Sequence, residues 1–168
     1  QKIKIGKTCR IPKLKEVLDD FSQRVWLNIE LKNKEPEFIK NCQNLIENTN
    51  PANPIVFSSF DPAALKYLTN ANKNKIETAL LWGEENKNLD FISCLKELKC
   101  SRFHPQASLL THEMAKALSQ ACIYTMPWVS FSEKEDEKLW SKMQNLGITS
   151  LCSNNPQELL RWLTNNTH

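Results

Sequence analysis

The sequence has little of what marks several common classes of protein. It contains three glycines in 168 residues and neither a Gly-x-Gly-x-x-Gly motif nor a complete Gly-x4-Gly-Lys-Ser/Thr motif, so a nucleotide-binding loop is not indicated. No apolar run approaches the ~20 residues of a membrane-spanning helix. The formal net charge is only +3, and the basic stretch at the start has no interleaved aromatic residues. We therefore predict no transmembrane segment and no nucleic-acid partner.

Paired metal-binding cysteines are also missing. The six cysteines include no Cys-x-x-Cys pair, which argues against a zinc ribbon or finger. Cys42, Cys122 and Cys152 lie within apolar patterns, where a reduced cysteine behaves as a small core residue. A chain of this length can bury a hydrophobic core without a disulfide framework. We therefore predict a reducing, cytoplasmic setting.

What the chain does contain is a regular alternation of helical and strand patterns. The spacing of apolar residues predicts one helix after Pro12, followed by six strand–helix units. The predicted strands are residues 25–32 and the segments "NPIVFSS", "IETALLW", "CSRFHP", "CIYTMPWV" and "ITSLC". This alternation favours an α/β fold with a parallel sheet and right-handed crossovers.

Residues with known preferences at helix ends support this division. Asp61 and Pro62 predict the start of one helix, and Thr111 predicts the cap of another. Ser132 and Glu135 form a Ser-x-x-Glu pattern, which predicts a capping box before a further helix. Gly147 is suited to the position just past the end of that helix.

The first predicted strand, "WLNIELK", has a polar face that needs explanation. Leu27, Ile29 and Leu31 form its apolar face, whereas Glu30 and Lys32 lie on the other side. A doubly wound sheet and a (β/α)₈ barrel both fit the alternation, but the barrel accounts for this pattern, because polar groups emerge on its inner face at the carboxyl ends of the strands. An exposed edge strand and an internal ion pair without function are the alternatives.

Six motifs in order resemble the glycerophosphodiester phosphodiesterase family. "IPKLKEVLDDF" is similar to its "IPTLEEVL" helix, "LNIELK" to its Glu-Leu-Lys strand, and "VFSSFDPAALKYL" to its Ser-Ser-Phe-Asp strand end. "CSRFHPQASLLTHEMAKAL", "MPWVSF" and "GITSLCSNNP" follow at compatible spacing. The resemblance covers about residues 10–165 and implies a TIM (β/α)₈-type barrel.

The resemblance implies hydrolysis of a glycerophosphodiester to glycerol phosphate and an alcohol, with a divalent cation, Mg²⁺ or Ca²⁺. By position in the motifs, Glu30 would be a metal ligand, Lys32 would contact the phosphate, and Trp128 would form an apolar wall beside the substrate. His104 matches a position at the barrel mouth and would line the pocket, or else be a histidine hydrogen-bonded at a strand end.

Other elements of the family pattern are missing. The family's His-Arg-Gly, Glu-x-Asp and His-Asp elements do not occur, and His104, His112 and His168 match none of its catalytic positions. We therefore interpret residues 1–168 as one partial, incomplete barrel domain, the C-terminal three quarters of the whole, with no catalytic residue of its own. His112 is expected on a helix surface and His168 at a frayed terminus.

The last two motifs have also diverged. Val129, Ser130 and Phe131 stand where the family has Thr-Val-Asn, and "SN" replaces Thr-Asp in the final motif. The segment from Ser132 to Leu146 is longer than usual, which predicts an extended loop at the barrel mouth.

Three functional hypotheses follow. The first is a glycerophosphodiester phosphodiesterase of the cytoplasm that acts in lipid metabolism as part of a longer chain, with this chain alone inactive and its open sheet edges pairing into an oligomer. The second is a non-catalytic, barrel-derived relic or interaction module. The third is a doubly wound binding protein unrelated to phosphodiesters.

Overall fold

A computed structural model describes residues 4–5, 9–71 and 76–166. Within this part of the chain, no helix is both long and apolar enough to cross a membrane. The elements in chain order are β1 (Lys4–Ile5), β2 (Cys9–Arg10), α1 (Leu14–Phe21), β3 (Leu27–Glu30), α2 (Pro36–Thr49), β4 (Ile55–Ser59), α3 (Pro62–Ala71), β5 (Glu77–Trp82), α4 (Phe91–Leu98), β6 (Arg102–Pro105), a 3₁₀ turn (Ala107–Leu109), α5 (His112–Gln120), β7 (Tyr124–Thr125), α6 (Glu137–Asn145) and α7 (Pro156–Asn166).

Five strands form one parallel sheet in their order along the chain, β3-β4-β5-β6-β7. Glu30 of β3 lies opposite Ser58 of β4, and His104 of β6 lies opposite Leu81 of β5. The short strands β1 and β2 pair separately as an antiparallel hairpin. Each pair of sheet strands is joined through a helix, which confirms the predicted α/β class.

The two faces of the sheet differ in what they contact. Phe57, Leu80 and Phe103 project from three neighbouring strands into the main apolar cluster, where they meet helix residues such as Leu65 and Leu95. Successive side chains of a strand point to opposite faces. Within each strand, the residues directly before and after these apolar residues therefore lie on the inner face, away from the helices.

Ring contacts across the inner face show that the sheet curves around on itself. The rings of Trp26, just before β3, and Tyr124 of β7 have centroids 6.0 Å apart. The rings of Phe60, after β4, and Trp128, after β7, lie 5.7 Å apart. In a flat sheet, strands four positions apart would be separated by roughly 19 Å at ~4.8 Å per strand. The doubly wound alternative is therefore wrong, and the sheet is an incomplete barrel of the TIM type.

Arg102 closes the amino-terminal end of the curved sheet. Its side chain is buried, and its guanidinium carbon lies 4.2 Å from the ring centroid of Trp26 and 4.4 Å from that of Tyr124. The guanidinium also forms an ion pair with Glu77. The Tyr124 hydroxyl forms a hydrogen bond with Ser150. This cluster joins the residue before β3 to residues of β5, β6 and β7 across the inside of the barrel.

The sixth predicted strand is reduced to a single bridge. Of residues 148–152, only Cys152 pairs, in a parallel bridge with Trp128. The Cys152 amide donates to the Pro127 carbonyl at 2.8 Å. Pro127 has no amide proton to donate, which interrupts the ladder on this side. The first predicted strand is likewise shorter than expected, covering residues 27–30 rather than 25–32.

Most of the predicted helix ends are confirmed. Asp61 accepts a hydrogen bond from the Ala63 amide, and Pro62 begins α3. Thr111 caps α5 by accepting from the Met114 amide. Gly147 follows the end of α6 with a φ of 73°, in the left-handed region where glycine carries no steric cost.

The predicted capping box at Ser132 and Glu135 is wrong. Helix α6 begins at Glu137, and Asp136 caps it by accepting hydrogen bonds from the next backbone amides. The Glu135 carboxylate is engaged elsewhere, with Ser153 and the Asn154 amide. The helix is therefore capped by Asp136 rather than by Ser132, and it begins later than the Ser-x-x-Glu pattern predicts.

The cysteine prediction is only partly correct. Cys42 is buried, as expected, but Cys122 and Cys152 are exposed. Cys122 occupies the turn after α5 with a φ of 54°. Cys152 lies at the last bridge of the sheet. Cys122 stands at the start of its apolar run and Cys152 at the end of its own, so both lie at the boundary of a buried segment.

Replacing Arg102 with alanine is expected to lower the free energy of unfolding by about 2–4 kcal/mol, since the change removes two cation–π contacts and the packing of the side-chain stem. The matched control is Arg161→Ala, on the exposed surface of α7, where a change of less than about 0.5 kcal/mol is expected. Urea unfolding followed by circular dichroism measures both. Equal stabilities for the two variants would contradict the role assigned to Arg102.

Candidate active site at the carboxyl ends of the strands

Glu30 and Lys32 meet at the carboxyl end of β3. Because Leu27, Ile29 and Leu31 contact the apolar cluster on the helix side, Glu30 lies on the inner face. The Lys32 ammonium donates a hydrogen bond to Glu30 Oε1 over 2.6 Å. The Glu30 side chain is 32% exposed and that of Lys32 79% exposed. The pair is thus partly shielded at its acidic end and open to solvent at its basic end.

The ion pair lines a cleft of about 500 Å³ at the carboxyl ends of β3 and β4. Its charged lining residues are Glu30, Lys32, Lys34, Glu35, Asp61 and Glu85. Four carboxylates and two ammonium groups give this lining a formal charge of −2. A second pair, Lys34 with Asp61, spans the cleft at 3.4 Å. Such a lining disfavours an anionic ligand unless a cation binds with it.

Trp128 forms an aromatic wall near this end of the sheet. Its ring packs edge-to-face on Phe60, which itself lines the cleft. A Cβ atom on Gly83 would come within 3.0 Å of the Trp128 ring and of Glu85 Oε2. Gly83 therefore allows the ring to lie against bare backbone. The Trp128 indole nitrogen is buried and has no hydrogen-bond partner among the described residues.

His104 does not line the cleft. It lies on β6 beside the helix-facing Phe103, hence on the inner face, and is 2% exposed. Neither ring nitrogen has a hydrogen-bond partner within the described part of the chain. Burial, and then the nearby Arg102 charge, lowers the pKa of His104 to about 4. The ring is therefore neutral at physiological pH and lies buried inside the curved sheet.

The remaining histidines lie outside the candidate site. His112 is exposed at the first position of α5, as predicted, and His168 lies outside the described residues. Among residues 4–5, 9–71 and 76–166, no three His, Cys, Asp or Glu side chains converge as a metal site would require. The carboxylates of the cleft are thus dispersed along its walls.

A loop over residues 130–136, here called the mouth loop, is fixed by two carboxylates that sequence reasoning missed. Glu133 accepts hydrogen bonds from Gln106 and Ser108, which follow β6. Glu135 accepts from Ser153 and from the indole nitrogen of Trp140. In the sequence, the one indication of these contacts is the unusual length of the segment from Ser132 to Leu146.

The first and last elements of the sheet approach each other at this end. Although Cys152 as a whole residue is exposed, partial burial of its sulfur raises the pKa of the thiol, and the nearby carboxylates of Glu135 and Glu30 raise it further. Glu30 belongs to β3 and Cys152 to the final bridge, so the curvature brings both edges of the sheet within electrostatic range. The divergent residue Asn154 is part of the same structure, since its amide side chain donates to the Val129 carbonyl at 3.0 Å.

A comparison with models of protein families shows which family the chain belongs to. The model of the glycerophosphoryl diester phosphodiesterase family matches residues 2–158. The chain belongs to this family. Comparison with curated protein sequences gives no match. The fold and the family resemblance expected from the motifs are thus both confirmed.

Solved structures share the fold at low identity. A Galdieria sulphuraria protein described as a glycerophosphodiester phosphodiesterase matches with a TM-score of 0.85 and 21% identity, over 96% of this chain and 67% of its own. An Oleispira antarctica phosphodiesterase in complex with the product sn-glycerol-3-phosphate matches with a TM-score of 0.77 and 23% identity, over 92% of this chain and 62% of its own. A glycerophosphodiester phosphodiesterase from Parabacteroides distasonis matches with a TM-score of 0.78 and 18% identity, over 99% of this chain and 70% of its own. This chain therefore spans roughly two thirds of the length of these relatives.

The burial of His104 predicts a specific loss of stability in acid. In the unfolded chain the imidazole takes up a proton near its ordinary pKa of 6.5, whereas in the folded chain it does so only near 4. The unfolded state therefore binds more protons between these values, and the stabilising contribution present above pH 6.5 is lost as the pH falls towards 4. The loss amounts to about 3 kcal/mol.

The His104→Leu variant tests this prediction. Between pH 7 and pH 4, its free energy of unfolding should fall by about 3 kcal/mol less than that of the parent chain. His112→Leu, on the surface of α5, is the control and should follow the parent. Urea titrations at four pH values in this range measure the difference. Parallel pH profiles for His104→Leu and the parent would refute the buried neutral state.

The Glu135→Ala variant should destabilise the protein by about 1–3 kcal/mol, because it leaves the Trp140 indole and the Asn154 amide without their acceptor. Glu47→Ala, at an exposed position of α2, is the control and should change stability by less than about 0.5 kcal/mol. Thermal unfolding of both variants gives the comparison. An unchanged melting temperature for Glu135→Ala would show that these hydrogen bonds do not hold the mouth loop.

Proposed function

We propose that this chain forms the phosphate-binding part of a metal-dependent glycerophosphodiester phosphodiesterase, which releases glycerol phosphate and an alcohol. The observation that carries the proposal is the Glu30–Lys32 pair at the carboxyl end of β3, facing a cleft that Phe60 also lines. Active sites of TIM-type barrels lie at this end of the sheet. Membership of the family supports the same substrate class.

Lys32 is assigned to the phosphate. Its ammonium carries three donors and, within the described residues, forms one ion pair, with Glu30, so that other donors face solvent. A phosphate oxygen can accept from them without displacing the carboxylate. Charge-assisted hydrogen bonds of this kind are stronger than neutral ones. Trp128 and Phe60 are assigned to the apolar side of the same substrate, next to the glycerol or alcohol portion.

Glu30 is assigned as one oxygen ligand of the divalent cation, Mg²⁺ or Ca²⁺. The negative lining of the cleft supports a cation, since it would otherwise repel a phosphodiester. In such reactions a divalent cation neutralises phosphate charge and orients the nucleophile. The described residues do not by themselves make a complete metal site. We therefore derive no catalytic step through the metal from this chain.

Proton transfer is not assigned to this chain either. Of the described histidines, His104 is buried inside the curved sheet and His112 lies on a helix surface. His104 does not line the cleft, so the pocket-lining role expected for it is not part of the proposal. We accordingly propose that the 168-residue chain alone does not hydrolyse phosphodiesters.

Setting and assembly are further parts of the proposal. The five cysteines whose side chains are described are free thiols, which supports the reducing, cytoplasmic setting expected for an enzyme of lipid metabolism. Strand β3 lies at the end of the sheet order, and an unpaired edge supports association into an oligomer. A non-catalytic interaction module is the second candidate, and the dispersed carboxylates of the cleft favour it.

Binding of sn-glycerol 3-phosphate tests the assigned site. Titration into the labelled chain, followed by NMR, should shift the resonances of Glu30, Lys32 and the Trp128 indole. Lys32→Ala should weaken this binding by about tenfold or more, the usual effect of losing a hydrogen bond to a charged group. Lys66→Ala removes an exposed lysine paired with Glu97, between two helices, and should leave binding unchanged. Equal weakening by both substitutions would exclude Lys32 as the phosphate contact.

Hydrolysis is tested separately. The purified 168-residue chain, incubated with glycerophosphocholine and either Mg²⁺ or Ca²⁺, should release no choline, because it lacks a converged set of metal ligands among its described residues. Choline release above that of a Glu30→Gln control would overturn the proposed inactivity. Absence of both binding and hydrolysis would favour the interaction module.

A further inference from the structure

Glu85 is an unpaired carboxylate in the lining of the cleft. Two of the other acidic lining residues, Glu30 and Asp61, form ion pairs with lysines. A third, Glu35, lies at the N-terminus of α2, where the helix dipole stabilises negative charge. The exposed carboxylate of Glu85 has neither an ion pair nor a hydrogen bond within the described part of the chain. It is therefore free to bind a cation.

The turn after β5 holds Glu85 in place. The Asn86 side chain bridges this turn, since it accepts from the Gly83 amide at 2.8 Å and donates to the Leu81 carbonyl at 3.1 Å. The Asn86 amide also donates to the Gly83 carbonyl at 3.2 Å. Glu85 directly precedes Asn86, so its backbone is fixed at the carboxyl end of β5.

The Glu85 carboxylate lies beside the Trp128 ring. A Cβ atom on Gly83 would be 3.0 Å from Glu85 Oε2 and 3.0 Å from Trp128 Cζ2. Because both distances are measured from one point, these two atoms are at most 6.0 Å apart. The Phe60 ring, which lines the cleft, packs edge-to-face on Trp128 with 5.7 Å between the ring centroids. One side of the cleft thus combines a free carboxylate with two aromatic rings.

This combination suits an organic cation better than a metal ion. Mg²⁺ and Ca²⁺ take about six or more oxygen ligands, whereas the described residues bring no three carboxylate, histidine or cysteine side chains together. A primary ammonium carries three donors that need acceptors, and the aromatic rings supply none. A quaternary ammonium has no donor to satisfy, and aromatic faces bind it together with negative charge.

Glu85 and the assigned phosphate contact lie at opposite sides of the cleft. Lys32 follows β3 and Glu85 follows β5, with β4 between the two strands. At ~4.8 Å per strand, the two strand ends are roughly 10 Å apart. A ligand with a phosphate at one end and an ammonium at the other meets a charge of opposite sign at each. Such a ligand has no net charge, so the formal charge of −2 on the lining does not repel it.

We propose that Glu85 and Trp128 bind a quaternary ammonium in the alcohol portion of the substrate, which makes the substrate class a choline-type glycerophosphodiester. This inference rests on the function proposed above, since it takes Lys32 as the phosphate contact of the same cleft. Glu85 determines specificity and takes no part in the chemical step. Its carboxylate attracts the cation, while the aromatic rings replace part of the surrounding water. An uncharged alcohol portion of equal size gains nothing from the carboxylate.

Binding of sn-glycero-3-phosphocholine to the 168-residue chain, followed by NMR, tests the assignment. The comparison ligand is the 3,3-dimethylbutyl ester of sn-glycerol 3-phosphate, in which a carbon atom replaces the quaternary nitrogen. The parent chain should bind the choline ester about fivefold more tightly, the effect of one exposed ion pair, and Glu85→Gln should remove this preference. Glu84→Gln is the matched control and should keep it, because Glu84 pairs with Lys87 outside the lining of the cleft. Circular dichroism verifies that each variant is folded.

The outcomes separate this inference from the proposed function. Equal binding of the two esters by the parent chain, or a preference that survives Glu85→Gln, would overturn the role of Glu85 while leaving sn-glycerol 3-phosphate binding untouched. Loss of the preference in Glu84→Gln as well would show a general effect of charge and would also overturn it. Lys32→Ala should weaken both esters alike. A parent chain that binds neither ester nor sn-glycerol 3-phosphate would overturn both proposals.

Discussion

The curvature of the sheet depends on contacts made inside it, and Arg102 lies at their centre. Its guanidinium is enclosed by the rings of Trp26 and Tyr124, which come from opposite sides of a five-stranded sheet. A flat sheet would keep those rings apart, so the packing of both rings on one guanidinium requires a barrel-like bend. The bend in turn places Phe60 against Trp128 at the other end. A cluster at the amino-terminal end of the strands thus helps to shape the candidate site at their carboxyl ends.

The sequence predicts best where one local preference acts alone. The alternation in "WLNIELK" was enough to place Glu30 and Lys32 on the side away from the helices, because period-two patterning is decided by burial on one face. Thr111 and Asp61 cap helices as predicted, since the amides that they accept from lie only two or three residues further along the chain. Local sequence is enough to predict such contacts.

Prediction fails where distant groups compete for the same side chain. Glu135 fits a capping box locally, but the hydroxyl of Ser153, 18 residues later, and the indole of Trp140 bind it instead. His104 follows the pattern of a residue at a strand end, yet its depth is decided by neighbouring strands and is visible only in three dimensions. The strand predicted at residues 148–152 is reduced to one bridge, because the segment that it faces contains Pro127. The sequence of one segment does not show which segment it will pair with.

The packing of Trp128 has a consequence for which residue can stand at position 83. The indole nitrogen has no partner among the described residues, so its ring is located by shape rather than by a directional bond. The backbone of Gly83 forms one side of that site, and a Cβ there would press on the ring at 3.0 Å and on Gln106 Oε1 at 3.3 Å. A single methyl group at position 83 would therefore force the Trp128 ring or the neighbouring side chains to shift. The place of an aromatic ring at this end of the barrel is thus set in part by a glycine whose own side is bare backbone.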